Sequence, residues 1–571
     1  MKYSVLLLAM GMASTQSGTA IAKDPLSGGS RLQTYANPVN LPYRYQPQKR
    51  AYREAADPTL IRFHGLYWLF ASHSKGYWYS RDLLNWTFVQ PTGFDVDKYA
   101  PTVFEMDGKL YLATSENVKK IWVAEDPIKG TWREAGDISG YGDPCLFLDD
   151  DGRLYVYEGL SATNPLRVVE LDRKTFLPIR ESLIKEAQSK ETRGWEVTGD
   201  NNQRVTKPTY TEGSWMTKYK GRYYLQYASP GTEYKTYADG VLVSDNPMGP
   251  FVYQAYSPFS FKPTGFIAGA GHGSTVHASG PDWWHVSTMS IARRHPYERR
   301  IGLFPAGFNS RGELFADTYL GDYPHYVNGT RALTGWMLLS RGKPVTASSS
   351  LEGMLPERAV DEEVRTWWSA RTGDAGEWLQ IDLEAVKRVE ALQINFADQD
   401  SEGKGISTDA YRYVVEGSAD GKRWHSLVAA DRTGRDAPHD YQVLKKADRV
   451  RYIKIRNLHS PDNGKFSLSD LRVFGQSNDP LPGTTSPISA VRDTSDPRRA
   501  MIRWNPSDNA QFYIVRIGVT PDLLSQNYQV YDGRTELNVG SLTKGIGYFY
   551  AVDAVNERGI TKGTVRPIEG S

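Results

Sequence analysis

The chain has 571 residues, more than one domain usually holds, and a formal net charge of +2. Near-neutrality without a clustered Lys and Arg face excludes a nucleic-acid footprint. A single cysteine, Cys145, excludes an intrachain disulfide and a cysteine metal cluster, and Cys145 reads as a small buried hydrophobe.

At the start, Lys2, an apolar core over 5–12 and Ala20-Ile21-Ala22 form a signal peptide over 1–22, with cleavage leaving Lys23 first. The apolar core is too short to span a bilayer, and no other stretch approaches a membrane span. With no Cys beside the cleavage site to carry a lipid, the expectation is a periplasmic or secreted protein.

Next the chain writes one phrase five times: an apolar run, a turn with Gly, then an aromatic-rich run. The paired runs are 60–63 with 67–70, 103–106 with 111–112, 146–148 with 155–157, 215–219 with 223–227, and 275–277 with 283–286. Each reads as a β-hairpin whose Gly supplies a positive φ. A small polar group precedes each: Asp57-Pro58, Tyr99-Ala100-Pro101, Asp143-Pro144, Glu212-Gly213 and Gly271-His272-Gly273. A period of about 45 to 70 residues fits propeller blades with loop insertions. Equivalent positions of a radial repeat converge on its axis, so Asp57, Asp143, Glu212 and His272 gather around one depression. The expected fold is all-β, beginning with a five-bladed β-propeller over 35–329. The aromatic wealth of Tyr and Trp suits sugar rings, although β-proteins favour aromatics anyway.

A bridge over 330–339 leads to a second β-rich unit at 338–475. A Pro/Gly/Ser/Thr stretch over 479–487 reads as a linker, and 488–571 as a small third sandwich with alternating runs at 500–504, 512–518 and 548–555.

In this order and register, Ala56-Asp57-Pro58, Gly142-Asp143-Pro144, Thr211-Glu212-Gly213, Tyr99-Ala100-Pro101 and Gly271-His272-Gly273-Ser274 resemble glycoside hydrolase family 43. The resemblance implies inverting hydrolysis of arabinose-, xylose- or galactose-containing glycans, of arabinofuranosidase or galactofuranosidase type first, with no cofactor needed for catalysis. It makes Asp57 the general base, Glu212 the general acid and Asp143 the third carboxylate. An inverting pair stands roughly 6.5–9.5 Å apart to admit the water, and a neighbouring negative charge keeps an acid such as Glu212 protonated. His272 matches an axial His that contacts water or a metal ion, or is a hydrogen-bonded core His. Arg299, with Arg293, Arg294 and Arg300 competing, is the substrate-facing Arg. Tyr99, Trp78 and Trp215 are candidate sugar platforms, the two Trp residues equally suited to blade packing. The partner class is an oligo- or polysaccharide.

The second unit resembles the discoidin, or coagulation factor 5/8 C-terminal, family, overlapping carbohydrate-binding module family 32. The match rests on Lys343-Pro344-Val345-Thr346-Ala347-Ser348, Trp367-Trp368-Ser369-Ala370, Trp378-Leu379-Gln380-Ile381-Asp382-Leu383, Glu416-Gly417-Ser418-Ala419-Asp420-Gly421 with Trp424, and Leu468-Ser469-Asp470-Leu471-Arg472-Val473-Phe474-Gly475. It implies a jelly-roll sandwich that binds sugar, with Asp361, Thr366 and Asp470 near a structural calcium loop. With its own core, the unit is expected to fold alone; it either tethers the enzyme to polymer or forms a scaffold wall that completes the active-site rim, and the short apolar bridge with Trp336 suggests close docking. The third unit resembles fibronectin type III, with Trp504 its buried aromatic and Tyr548 its corner Tyr. Two other classes stay open: a propeller that binds glycans without cleaving them, and an adhesion protein led by the discoidin-like unit.

Overall fold

The structure is a computed structural model describing residues 33–46, 52–93, 99–115, 119–187, 189–405, 407, 409–431 and 436–570. The signal-peptide expectation at 1–22 lies outside them. Five four-stranded antiparallel sheets follow in chain order, each running outward strand by strand. Blade one is Ala56–Phe63, Leu66–Ser72, Tyr77–Ser80 and Thr87–Val89. Blade two is Thr102–Met106, Lys109–Ala113, Lys120–Ala124 and Arg133–Asp137. Blade three is Cys145–Leu148, Leu154–Glu158, Leu166–Leu171 and Pro178–Ile184. Blade four is Glu212–Tyr219, Arg222–Ser229, Ala238–Ser244 and Val252–Tyr253. Blade five is Ala268–Ser279, Asp282–Ser290, Arg299–Phe308 and Leu314–Ala316.

The inner hairpins owe their register to their turns. His64-Gly65, Asp107-Gly108 and Lys220-Gly221 all take paired positive φ values, the two-residue turn whose twist matches the flanking strands. Blade faces bury apolar side chains against neighbours. Trp68 and Phe70 meet Val103 and Leu110 between blades one and two, and Phe104 and Ile121 meet Leu146 and Val156 between two and three. Tyr224 and Val241 meet Met289 and Phe304 between four and five, and Leu60 and Leu69 meet Val286 and Leu303 where five returns to one. The segment before blade one seals this last seam: Asn37 donates to the carbonyls of Leu303 and Gly321 and accepts from the Leu303 N–H.

Residues 337–476 form the sandwich. Its two long strands, Trp378–Phe396 and His439–His459, each carry a register shift that lets them bend around the core of Trp368, Leu379, Ile381, Leu392 and Ile455. The remaining chain forms a three-stranded sheet (Ser486–Arg492, Ala500–Asn505, Glu536–Val539) facing a five-stranded one built on Phe512–Gly518 and Phe549–Asn556.

The stretch over 479–487 is not a free linker. Asp479 pairs with Lys387 at 2.9 Å, Asn556 donates to the Pro480 carbonyl, and Thr485 donates to that of Val552. The three parts share cores: Leu320, Tyr323 and Trp336 pack with Phe474 of the sandwich and with Phe512 and Ile514 beyond it. Trp195, and Tyr227 of blade four, join one cluster with Trp504 and Tyr528. Thr34–Ser571 is therefore one compact body.

Candidate active site

Each inner strand enters from the axis through one residue in the left-handed region: Asp57 (φ 51°), Ala100 (45°), Asp143 (44°), Gly213 (65°) and His272 (45°). Such strain in non-glycine residues persists only where surroundings fix it. A side chain of the preceding blade accepts the N–H of four of them: Thr288 for Asp57, Ser72 for Ala100, Ser115 for Asp143 and Asp239 for His272. In blade four the kinked position is Gly213, and Glu212 sits one residue earlier, so its carboxyl leaves the backbone at a different phase. Gly213 is required there twice over: its φ is positive, and a Cβ would stand 2.7 Å from Cγ of His272.

The structure brings Asp57, Asp143, Glu212 and His272 together. His272 Nδ1 lies 3.3 Å from Asp57 Oδ1 and 3.7 Å from Asp143 Oδ2. The Ser72 hydroxyl donates to Asp57 Oδ2 at 2.6 Å, Ser115 to Asp143 Oδ1 at 2.9 Å, and the Tyr237 phenol to Glu212 Oε1 at 2.5 Å. Arg299 donates to Asp57 Oδ1 at 3.1 Å and grips Glu54 with its other nitrogens.

These surroundings split the carboxylates. Burial alone would raise the Asp57 pKa, but the Arg299 guanidinium, His272 and Ser72 hold it below the ordinary value. Burial, reinforced by the negative charge of Asp143, pushes Glu212 up to about 7. Burial and the Asp57 charge push Asp143 up to about 6, against the pull of His272. Burial would lower the His272 pKa, yet the surrounding carboxylates raise it. One carboxylate is thus built to be ionised and another to keep its proton.

Residues 52–312 match the family model for glycosyl hydrolases family 43, and residues 344–470 match that for the F5/8 type C domain. Residues 52–312 are a family 43 glycosyl hydrolase domain. A beta-xylosidase of Xylanibacter ruminicola is 33% identical over 184 residues, covering 26% of this chain and 54% of the relative. A xylan 1,3-beta-xylosidase of a Vibrio species is 28% identical over 314 residues, covering 48% and 56%. The chain spans about half the length of these curated relatives. A solved glycoside hydrolase aligns over 76% of this chain and 99% of its own, with 20% identity and a TM-score of 0.44.

The other expected residues of the family 43 domain divide. Tyr99 stands at the mouth, 44% exposed, edge-on to His73 at 4.1 Å and near the Arg299 guanidinium. Arg299 is buried and committed to Glu54 and Asp57, so it acts on the carboxylate rather than lying open to substrate. Trp78 is no sugar platform: it is fully buried in the seam of blades five and one, edge-on to Phe88 at 5.5 Å. Trp215, three residues on from Glu212, donates to the Thr275 carbonyl at 3.2 Å and lines a cavity of about 260 Å³ with Leu60, Val103, Cys145 and Trp283. Sequence reasoning missed Ser72, Ser115, Thr288, Tyr237, Asp239 and Glu54. For the two serines a signal exists, because Ala71-Ser72, Ala113-Thr114-Ser115 and Ala228-Ser229 repeat at the end of the second strand.

In the sandwich, Thr366 donates to Asp361 Oδ2 at 2.5 Å, and Asp470 Oδ2 accepts the Glu362 N–H at 2.9 Å. Burial, then Glu362 and Asp361 nearby, raise the Asp470 pKa well above its ordinary value. Among the described residues, no three His, Cys, Asp or Glu side chains form a group that could hold a metal.

Proposed function

We propose that the protein is an inverting glycosidase acting on arabinose-, xylose- or galactose-containing glycans, with arabinofuranosides and galactofuranosides the first substrates to try. The opposed proton affinities of Asp57 and Glu212 around one imidazole carry this reading. Asp57, held ionised by Arg299 and oriented by Ser72, activates a water as general base. Glu212, held protonated by burial and the Asp143 charge, delivers its proton to the leaving oxygen from the other side. The Tyr237 phenol orients the Glu212 carboxyl. His272, whose protonated form the carboxyl groups of Asp57, Asp143, Glu212 and Asp239 favour, faces both Asp57 and Asp143. Tyr99 at the mouth offers an aromatic face to the sugar. The names of the two relatives add xylosides to the panel.

The test is hydrolysis of a panel of aryl arabinofuranosides, galactofuranosides and xylosides, with NMR of the first-formed anomer. Inversion is expected. Retention would require a covalent nucleophile and overturn the assignment; a folded protein that binds but cleaves none of the panel would favour a glycan-binding propeller.

For a structural calcium in the sandwich, the support is the donor chemistry of Asp361, Thr366 and Asp470, all hard oxygens of the kind that ion takes. The facing three- and five-stranded sheets around buried Trp504, with the Tyr548 hydroxyl accepting the Thr543 N–H, support a fibronectin type III-like third unit. The leader-like start supports export to the periplasm or beyond.

A further inference from the structure

Two dipeptides lead from the sandwich into the active site. Arg53 and Glu54 form a two-residue strand, and Arg299 and Arg300 open the third strand of blade five beside it, where the Ala55 N–H donates to the Arg299 carbonyl. In extended chain, adjacent side chains point to opposite faces. Here one member of each pair faces the carboxylates and the other faces the sandwich. On the site side Arg299 donates both to Glu54 and to Asp57. On the far side, Arg53 donates to Asp398 at 2.9 Å and 3.1 Å and to Asp436 at 2.7 Å. Arg300 donates to His439 Nε2 at 3.0 Å, and His439 Nδ1 bonds Asn395 Oδ1 at 2.8 Å.

The two grips are tied together, because Arg300 also donates to the Arg53 carbonyl at 2.8 Å. Tyr45 and Tyr411 add their hydroxyls to Asp398. Arg53, Glu54, Arg299, Arg300, Asp398 and His439 are all buried. Burial keeps these bonds in a water-poor setting where a displaced charge finds no substitute partner.

We infer that Asp398 and His439 of the sandwich are positioning residues for Asp57, acting through Arg53-Glu54 and Arg299-Arg300. The inference rests on the reading of Asp57 as general base. The F5/8 type C domain then helps to orient the chemistry, a role separate from any glycan it binds. Removing the Asp398 charge lets Arg53 shift, Glu54 with it, and Arg299 loses its fixed approach to Asp57. Asp57 would then bind its proton more tightly, so the acidic limb of the pH–rate profile should move to higher pH. The charged and titratable groups facing Asp57 are Arg299, His272, Asp143, Glu212, His73, Tyr99 and Tyr237. Those around Arg53 are Asp398, Asp436, Tyr45, Arg44, Arg300, Tyr411 and His439, and those around Arg300 are Glu298, Tyr43, Asp398, Arg53, Arg293 and His439.

The experiment compares Asp398→Asn, Asp398→Glu, Asp436→Asn and Glu363→Gln in the full chain on one aryl glycoside, beside Asp57→Asn. Lys235 donates to Glu363 across the same interface at 2.7 Å, a pair that includes none of Arg53, Glu54, Arg299 and Arg300. Asp398→Asn is expected to lower kcat by at least about 10-fold with KM little changed, since small misplacements of a reacting group cost up to about 10²-fold. Its acidic limb should rise by about half a pH unit or more. Asp398→Glu should restore part of both, and Glu363→Gln should move neither. If Asp398→Asn does not fold, the same shift in Asp436→Asn decides. A folded Asp398→Asn with wild-type kcat and acidic limb, beside an inactive Asp57→Asn, overturns the inference alone. Full turnover in Asp57→Asn overturns the reading of the base, and the inference with it.

Discussion

At the scale of single residues, the site is an arrangement for keeping one proton and discarding another. Activity should rise with pH as Asp57 ionises, at a pH below the ordinary carboxylate value. It should fall as Glu212 loses its proton near about 7. Asp143→Asn removes a negative charge that raises Glu212, so the basic limb should move to lower pH; a profile unchanged on that side would separate Asp143 from Glu212. Glu212→Gln should cut turnover at least about 10²-fold on poor leaving groups, the usual scale for acid catalysis. Aryl glycosides with acidic phenols should suffer less because they need no proton, and equal losses on both would speak against Glu212 as the acid. Asp57, Asp143 and His272 were legible in the sequence because they recur at one phase of a repeat, and Glu212 because it stands one residue before that phase. Tyr237 was not, since it lies 25 residues from Glu212, just before a third strand, where no polar mark repeats. Trp78 misled for a related reason: an aromatic in a blade reads alike whether it faces a sugar or the next blade.

At the scale of elements, the repeat that builds the blades also builds the kinks. Five inner strands begin in the left-handed region, and four have their N–H groups fixed by the blade before them, so each blade sets the entry of the next. Ser72 shows the economy of this, since its hydroxyl meets both the Ala100 N–H and the Asp57 carboxylate. Blade four departs, with Gly213 at the kink. Gly213→Ala would meet the left-handed penalty of about 1–2 kcal/mol and drive a methyl into the His272 ring. Expected are a drop in midpoint denaturant concentration and a loss of activity exceeding that of a surface Gly→Ala such as Gly329→Ala. Calorimetry and kinetics on the two variants would check it, and a fully active Gly213→Ala would show that the ring can move aside. The hairpins were readable from Gly turns, whereas the kinks were not, because Asp before Pro is ordinary turn chemistry.

At the scale of the whole molecule, the modular reading of the sequence gives way. Composition marks 479–487 as a linker, yet it is stapled at both ends, and the units share apolar cores. The short apolar bridge with Trp336 hinted at close docking, but the contacts themselves were hidden, because Arg53 and Asp398 lie 345 residues apart and Arg300 and His439 lie 139 apart. Such long-range polar pairs leave no local pattern. A chain ending near Gly329 would expose Leu320, Tyr323, Phe266 and the buried Arg53 and Arg300, with their partners gone. Removing one side of a buried ion pair costs about 3–5 kcal/mol. Truncation is therefore expected to lower Tm and to damage activity on small soluble glycosides as severely as on polymer. Undiminished turnover of an aryl glycoside by such a truncated chain would restore the tether.

Cys145 gives the propeller a built-in clock. Its sulfur lies in blade three and accepts the Met216 N–H of blade four at 3.3 Å, while burial pushes the thiol up to about 12. A thiol held protonated and enclosed reacts only when its surroundings part. The rate at which a bulky aromatic disulfide reagent modifies native protein should therefore report how often these blades breathe apart. A glycan analogue held between Asp143 and Glu212 should slow that clock, and rapid stoichiometric labelling of the resting protein would show that the joint stands open.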